Sequence, residues 1–396
     1  MSTVQQIPVA RRSEAAGDRL AVSVVIPCLN EEGNIERCVH DARAALETAG
    51  LTGEVLVVDN ASEDRSGELA AAAGARVVYE PRRGYGSAYR AGFAAARGAY
   101  IVMADADLTY DFDEIPRFIA ELDAGAELVM GNRMNDIKPG AMHWAHRYIG
   151  NPLLTGVLNL FYKTGVRDAH CGMRALRRDV LDKLDLRTTG MEFASEMVIR
   201  AAKAHLAISE IDIAYHPRGG TSKLSRFRDG WRHLRFLLVH SPTHLFIIPG
   251  TVLAGLGVIA SVLVLAHVTL LGRSWNLHAL IAGELLTIIG TQVLALGLCA
   301  HAYGTYFLGE KDAWFDAMRA RFRLEHGLLI GGTIALAGFA TALVIAIRWI
   351  EHGFGSLAEE NLAIVASELL IVGLQIFFSS FLLSILGLRS ERRQAR

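Results

Sequence analysis

The sequence predicts an α/β domain on a doubly wound, mostly parallel sheet, followed by interfacial helices and a four-helix transmembrane region. Short β-branched runs alternate with segments of helical spacing over roughly the first 240 residues. Four long apolar runs then dominate the remainder. Acidic and amide side chains recur where the predicted strands end, which is where ligands bind in such sheets.

The elements follow in order. Residues 1–20 are polar, without the apolar stretch of a signal peptide, and read as a disordered tail. The run AVSVVIP (21–27) is a buried strand ended by Pro27, and 34–46 has helical spacing. EVLVVD (54–59) is a second strand, 66–73 a helix, 76–79 a third strand and 87–96 an Ala-rich helix. YIVMA (100–104) is a fourth strand leading into Asp105-Ala106-Asp107; 115–122 is helical and LVMG (128–131) a strand. The domain is assigned to 21–224. In 225–243, Phe227, Trp231, Leu234, Leu237 and Leu238 recur at helical spacing opposite arginines, as suits a helix in a membrane interface.

The chain is 52% hydrophobic, with mean hydropathy +0.28. The excess lies in a transmembrane domain assigned to 244–388, in runs at 245–271, 277–308, 328–347 and 362–386. Each meets the roughly 20 residues needed to cross a ~30 Å core. Lys and Arg cluster before the first run, between the second and third, and in a basic tail at 389–396. The loop between the third and fourth carries Glu351, Glu359 and Glu360 instead. By the positive-inside rule the first domain and both termini are expected to be cytoplasmic. A net charge of −1 predicts no nucleic-acid partner. Cys28, Cys38, Cys171 and Cys299 form no C-x-x-C pair and read as reduced thiols.

Asp105 and Asp107 carry the sharpest chemical signal. Strand alternation would place both carboxylates on one side, where they repel unless a cation lies between them. A hard divalent ion, Mg2+ or Mn2+, shared with a substrate diphosphate meets that need. Arg82-Arg83-Gly84-Tyr85-Gly86 stands between a strand and a helix; its small residues let backbone amides approach an anion, and Arg83 can pair with phosphate. Arg218-Gly-Gly-Thr-Ser222-Lys223 lies just before the interfacial helix and offers three donors to a phosphate dianion.

The segments VVIPCLNEEGNI, VLVVDNASEDRS, RRGYGSAYRAGF and IVMADADLTYDFDEI resemble glycosyltransferase family 2. More narrowly they are similar to the polyprenyl-phosphate glycosyltransferases, such as dolichyl-phosphate mannose and glucose synthases. The resemblance implies a GT-A fold and inverting transfer of a hexose from a nucleotide sugar, UDP-glucose or GDP-mannose, to a polyprenyl phosphate. It implies that Pro27, Asn30 and Glu31 or Glu32 line the nucleotide pocket, that Asp59 holds the base or ribose, and that Asp105 and Asp107 act on the diphosphate through the metal. It further implies that Arg133 and Arg147 hold the acceptor phosphate, joined by Arg174 of the DAHCGMR loop and by Arg218, Ser222 and Lys223. Catalysis is thereby assigned to Asp105, Asp107, Arg133 and Arg218. Glu192 and Glu196, in MEFASE, would orient these arginines or the sugar hydroxyls. Two departures stand out: Asn60, where many relatives have a second Asp, and Leu108-Thr109, where mannose synthases often carry Gln. The missing Gln favours a UDP-sugar. A processive polysaccharide synthase and a non-catalytic membrane scaffold remain alternatives; the first lacks its Q-x-x-R-W motif here. A homo-oligomer stays open.

Overall fold

A computed structural model describes residues 20–219, 226–270, 273–274, 276–307, 313–354 and 359–394. The chain forms two compact units, 1–237 and 238–396. Residues 1–19 of the tail predicted at 1–20, and Ser222 and Lys223, lie outside the described residues.

The first unit is built on a seven-stranded sheet. Its strands are β1 (Val22–Cys28), β2 (Gly53–Asp59), β3 (Arg76–Tyr79), β4 (Tyr100–Met103), β5 (Leu128–Ile137), β6 (Arg174–Arg177) and β7 (Ile208–Tyr215). The spatial order is β3-β2-β1-β4-β6-β5-β7. All neighbouring pairs are parallel except those of β6, which runs antiparallel to β4 and β5. The sheet is thus mixed and mostly parallel, as the fold class requires. Strands buried on both faces are mostly apolar, which explains the VVI run of β1 and the VLVV run of β2; the buried Ser23 of β1 is satisfied by donating to Glu54 Oε1 at 2.8 Å.

Helices cover both faces. One core packs α1 (Ile35–Thr48), α2 (Ser66–Ala72) and α4 (Ile115–Asp123) onto the alternate residues Val22, Val24 and Ile26 of β1. The opposite core holds Val25, Leu56 and Val58 under α3 (Tyr85–Ala95), α5 (Asn151–Tyr162), α6 (Leu181–Leu184) and α7 (Phe193–Lys203). Gly92 lets α3 lie directly on the sheet, because a Cβ there would stand 2.4 Å from Val25 Cγ1. The predicted amphipathic helix forms as α8 (Arg226–Val239). Its Leu237 is fully buried in the second core and His233 nearly so, while Trp231 is 61% exposed. One face of α8 is therefore domain core.

Among the described residues, the second unit holds four helices long and apolar enough to cross a membrane: Thr243–Leu265, Leu277–Phe307, Leu324–Glu351 and Glu360–Gly387. The regular helices are α9 (Ile248–Leu265), α10 (Leu277–Phe307), a short α11 (Ala313–Arg321), α12 (Leu324–Glu351) and α13 (Glu360–Gln394). Glycines set the α12–α13 seam. A Cβ at Gly331, Gly338 or Gly373 would fall 2.3–2.7 Å from backbone of the facing helix, the small-residue contact expected where helices pack in lipid.

Candidate active site

Strand order reverses between β1 and β4, and the loops beyond the carboxyl ends of β1, β2, β3 and β4 meet at that switch point. They enclose a cavity of about 240 Å3 lined by Pro27, Glu31, Asn60, Gly84, Asp105 and Asp107, with Arg218 and Met191 completing the wall. A second cavity of about 610 Å3 lies on the other side of Arg218, bordered by Asp111, Asp113 and His216.

The carboxylate pair is positioned differently from the sequence expectation. β4 ends at Met103, so Asp105 and Asp107 lie in a turn and not on one side of a strand. Leu108, at φ +62°, closes that turn. Asp107 Oδ1 accepts from Thr109 N at 3.1 Å and from its hydroxyl at 2.5 Å. Asp105 Oδ1 accepts from the Tyr85 hydroxyl at 3.1 Å. Gly172, from the DAHCGMR loop, comes so close that a Cβ would lie 2.5 Å from Asp105 Oδ2. Burial and the charge of Asp107 push the Asp105 carboxyl up to about 7.

Arg218 spans two acids. Its Nη1 is 3.2 Å from Asp107 Oδ2 and its Nη2 donates to Glu31 Oε1 at 3.1 Å, while its buried Nε has no partner. Gly219 N donates to the Asp107 carbonyl at 2.9 Å, and Asn34 Nδ2 donates to Gly219 O at 2.9 Å. The segment after β7 is thereby pinned to the loop after β4.

Asn60 explains its own departure from the family pattern. Its buried amide donates to the carbonyls of Glu80 (3.0 Å) and Arg82 (2.8 Å), and its oxygen accepts from Gly84 N (2.6 Å). A carboxylate has no hydrogen to donate and could not hold those carbonyls. Gly84, at φ +148°, sits where a Cβ would meet Thr189 O at 2.2 Å.

The other expected site residues divide in two. Asn30, Glu32, Asp59 and Arg83 do not line the cavity; they tie the surrounding loops. Asn30 Oδ1 accepts from Glu63 N, Glu32 N donates to Asp64, Asp59 accepts from Ser62 N, and Arg83 pairs with Glu63. Arg133 and Arg174 are buried and already paired. Asp168 receives both Nε (2.7 Å) and Nη2 (2.9 Å) of Arg133, and Tyr215 lies beneath that guanidinium at 5.0 Å. Arg174 donates to the carbonyls of Cys171, Ala194 and Ala169 at 2.8–2.9 Å. Neither guanidinium is free to grip a phosphate in this arrangement. The opposite charge of Arg133 holds the Asp168 carboxyl below its usual range against the effect of burial.

Glu196 does not reach these arginines. It accepts from Arg187 N and from Thr188 N and Oγ1, fixing the loop against which Gly84 packs. Glu192, next to cavity residue Met191, keeps a buried Oε2 without a partner. Arg147 lies 5.3 Å from the Tyr148 ring, in a segment exposing Trp144 (62%), Tyr148 (67%) and Leu153 (57%). Such a patch of aromatic and aliphatic side chains suits a membrane interface. The Tyr85, Thr109, Asn34 and Gly172 contacts escape sequence reasoning, since each joins segments by a turn or a long-range approach that periodicity does not encode.

The acid pair fits a hard divalent cation. Both donors are carboxylate oxygens in one polar cavity, and Asp105 Oδ2 accepts no hydrogen bond among the described residues. Also among the described residues, no cluster of three His, Cys, Asp or Glu forms a complete cage. That suits Mg2+ or Mn2+, which commonly take one or two carboxylates and fill their shell with substrate phosphates and water.

The family model for glycosyl transferase family 2 matches residues 23–185, and that for the family 2 C-terminal transmembrane region matches 298–387. The chain is 44% identical over 368 residues to the low-salt glycan biosynthesis hexosyltransferase Agl6 of Haloferax volcanii, covering 92% of this chain and 89% of that protein. It is 32% identical over 211 residues to a dolichyl-phosphate hexose transferase of the same organism, 53% of this chain and 89% of that one. With the undecaprenyl-phosphate 4-deoxy-4-formamido-L-arabinose transferase of Salmonella paratyphi A it shares 28% identity over 301 residues, 72% and 89% of the two chains.

Proposed function

Since the chain belongs to glycosyltransferase family 2 and is a glycosyltransferase, we propose that it transfers a hexose from a nucleotide sugar, preferably a UDP-sugar, to a polyprenyl phosphate at the cytoplasmic face of a membrane. One observation carries this reading. A carboxylate pair and a guanidinium with an unpartnered Nε share one cavity at the sheet's switch point, in a chain that also carries four membrane-length apolar helices. Relatives named for dolichyl- and undecaprenyl-phosphate transfer support the acceptor.

The donor diphosphate would lie against Asp105, Asp107 and Gly84. A bound Mg2+ or Mn2+ would offset the negative charge of the departing nucleoside diphosphate. Tyr85 holds the Asp105 carboxylate in place, and Asn60 holds the loop whose backbone faces the diphosphate. Arg218 exchanges its carboxylate partners for phosphate oxygens. The unpartnered Glu192 Oε2 is an acceptor for a sugar hydroxyl. Arg133 and Arg174 act as positioning residues, fixing the loop that carries Gly172 against Asp105. Arg147, Ser222 and Lys223 are left to meet the lipid phosphate.

The acceptor needs no general base. A phosphate monoester has a second pKa of about 6 and is largely dianionic near neutrality. One of its oxygens attacks the anomeric carbon as the bond to the diphosphate breaks, and the diphosphate leaves with the electron pair. No proton moves, so the residues contribute charge compensation and alignment. Attack opposite the leaving group converts an α-linked donor into a β-linked product.

A transfer panel tests this. The purified full chain is given radiolabelled UDP-glucose, GDP-mannose or other nucleotide sugars with and without polyprenyl phosphate. The expected outcome is a lipid-linked β-hexoside formed with divalent metal and abolished by chelation. Donor hydrolysis without lipid product, or elongation to a polymer, would overturn the assignment.

A further inference from the structure

The helical unit contains a cavity of its own, about 570 Å3, between the last turns of α10, α11, the start of α12 and the distal part of α13. That lies within the ~300–1,000 Å3 range of small-molecule sites. Its walls are apolar, with Leu298, Phe315, Ile330, Ile376 and Leu383 among them. Its floor is set by the glycine seam, since α12 and α13 are in backbone contact from Gly331 onward.

Depth and charge identify the occupant. The lining residues run from Leu324 to Ile330 on α12 and from Gly387 back to Ile376 on α13. At 1.5 Å per residue these stretches reach roughly 9 and 16 Å along the helices. A ~30 Å hydrocarbon core allows each leaflet about 15 Å, so the cavity is one leaflet deep. Arg319 and Arg323 stand at its outer end, and no Asp or Glu lines it. Arg319 Nη1 donates to the Tyr306 hydroxyl at 3.1 Å, with the guanidinium 5.3 Å from that ring, which holds it at the mouth. Among the described residues neither arginine has a carboxylate partner. Phe322, between them in sequence, is 59% exposed. Basic pockets between membrane helices at a cytoplasmic surface are sites for anionic lipid headgroups.

We propose that this cavity binds an anionic phospholipid of the leaflet facing Arg319 and Arg323. The phosphate lies between the two guanidiniums and one acyl chain runs along the α12–α13 groove. The proposal does not depend on the reading of the catalytic cavity, which lies wholly in the other unit.

Lipid retention tests it. The full chain is reconstituted in phosphatidylcholine vesicles containing a minor share of phosphatidylglycerol, extracted in mild detergent and passed through gel filtration. Retained lipid is then quantified by mass spectrometry. We expect about one phosphatidylglycerol per chain, selected over phosphatidylcholine. Removing both charges in an Arg319→Gln, Arg323→Gln variant should weaken that selection by about thirtyfold. A variant with Lys at both positions should restore most of it, and Ile330→Trp, which fills the groove, should remove retention. Arg323→Gln alone changes an exposed side chain with no carboxylate partner among the described residues and keeps the backbone N–H that donates to His326 Nδ1, so a partial loss there, with an unchanged melting temperature, reports on charge. Equal retention of both lipids, or phosphatidylglycerol retention indifferent to the arginines, would overturn the proposal. Preferential retention of added polyprenyl phosphate in the same groove would also overturn it, by making the occupant the acceptor.

Discussion

In the α/β unit the guanidinium of Arg133 is buried against Asp168 and an aromatic ring, whereas in the helical unit Arg319 and Arg323 stand at helix ends without a carboxylate partner among the described residues. The α/β unit is a preorganised polar site. Asn60, Glu196 and Arg174 each hold two or more backbone groups. The helical unit has the reverse character. At most 28% of any span's apolar window is buried within it, so its surface is matched to lipid and its packing rests on glycine contacts. The contrast teaches that mutational effects in the first unit follow unpaired charge and lost donors, while those in the second follow helix approach and lipid contact.

The largest expected effect tests the catalytic half of that contrast. Asp107→Ala removes one of two carboxylates and should lower transfer by roughly 10^4-fold, in keeping with the several kcal/mol of charge stabilisation a metal site supplies. The fold should persist, because relief of the repulsion with Asp105 offsets part of the lost Thr109 and Arg218 contacts and Arg218 keeps Glu31, as circular dichroism would show. Comparable rates in the variant would remove the acid pair from the chemistry. Next comes Asp168→Ala, which leaves Arg133 buried and unpaired. Breaking such a pair costs about 3–5 kcal/mol, read in denaturant unfolding of the α/β unit, and helical content in the spans should persist. Asn60→Asp comes third. Loss of donors to two carbonyls should cost about 1–3 kcal/mol and weaken nucleotide binding by titration calorimetry, since the Gly84 loop is released.

The smallest effect is one of pH. Burial, with the neighbouring His233, holds the His170 imidazole down to about 3 from an ordinary 6.5. Below pH 6.5 the unfolded chain takes up a proton that the folded chain refuses. The stability present above pH 6.5 is therefore lost progressively as pH falls toward 3. At pH 5 the loss is about 1–2 kcal/mol, visible as a lower melting temperature. His170→Gln should flatten that slope; an unchanged slope would place the titration elsewhere.

How far the sequence could be read differs along the chain for physical reasons. β1, β2, β4 and the first part of β5 (128–131) were legible because strands buried on both faces appear as apolar runs bounded by turns, while β3, at the sheet edge with Tyr79 exposed, showed itself through its β-branched Val77 and Val78. β6 was not, being four residues with Arg174 and Arg177 at its ends, and neither was β7, whose Glu210 and Asp212 interrupt its apolar residues. Asp105-Ala-Asp107 was legible as an acid pair beyond β4 but not as geometry, because the turn closed by Leu108 has no periodic signature. The arginines expected to meet phosphate were found as residues, while the partners that occupy Arg133 and Arg174 were not.

The sequence by itself determined the two-part character of this protein: where apolar runs alternate and where they persist follows from composition alone, since burial in a sheet and immersion in lipid select residue types locally. It also determined the family, through short motifs that stay contiguous in the chain. Only the tertiary structure decided which charges are available. The pairing of Arg218 with Glu31, of Arg133 with Asp168 and of Gly172 with Asp105 joins segments 187, 35 and 67 residues apart. Whether a charge serves a ligand or the fold depends on what the closed sheet brings beside it, and no local pattern carries that information.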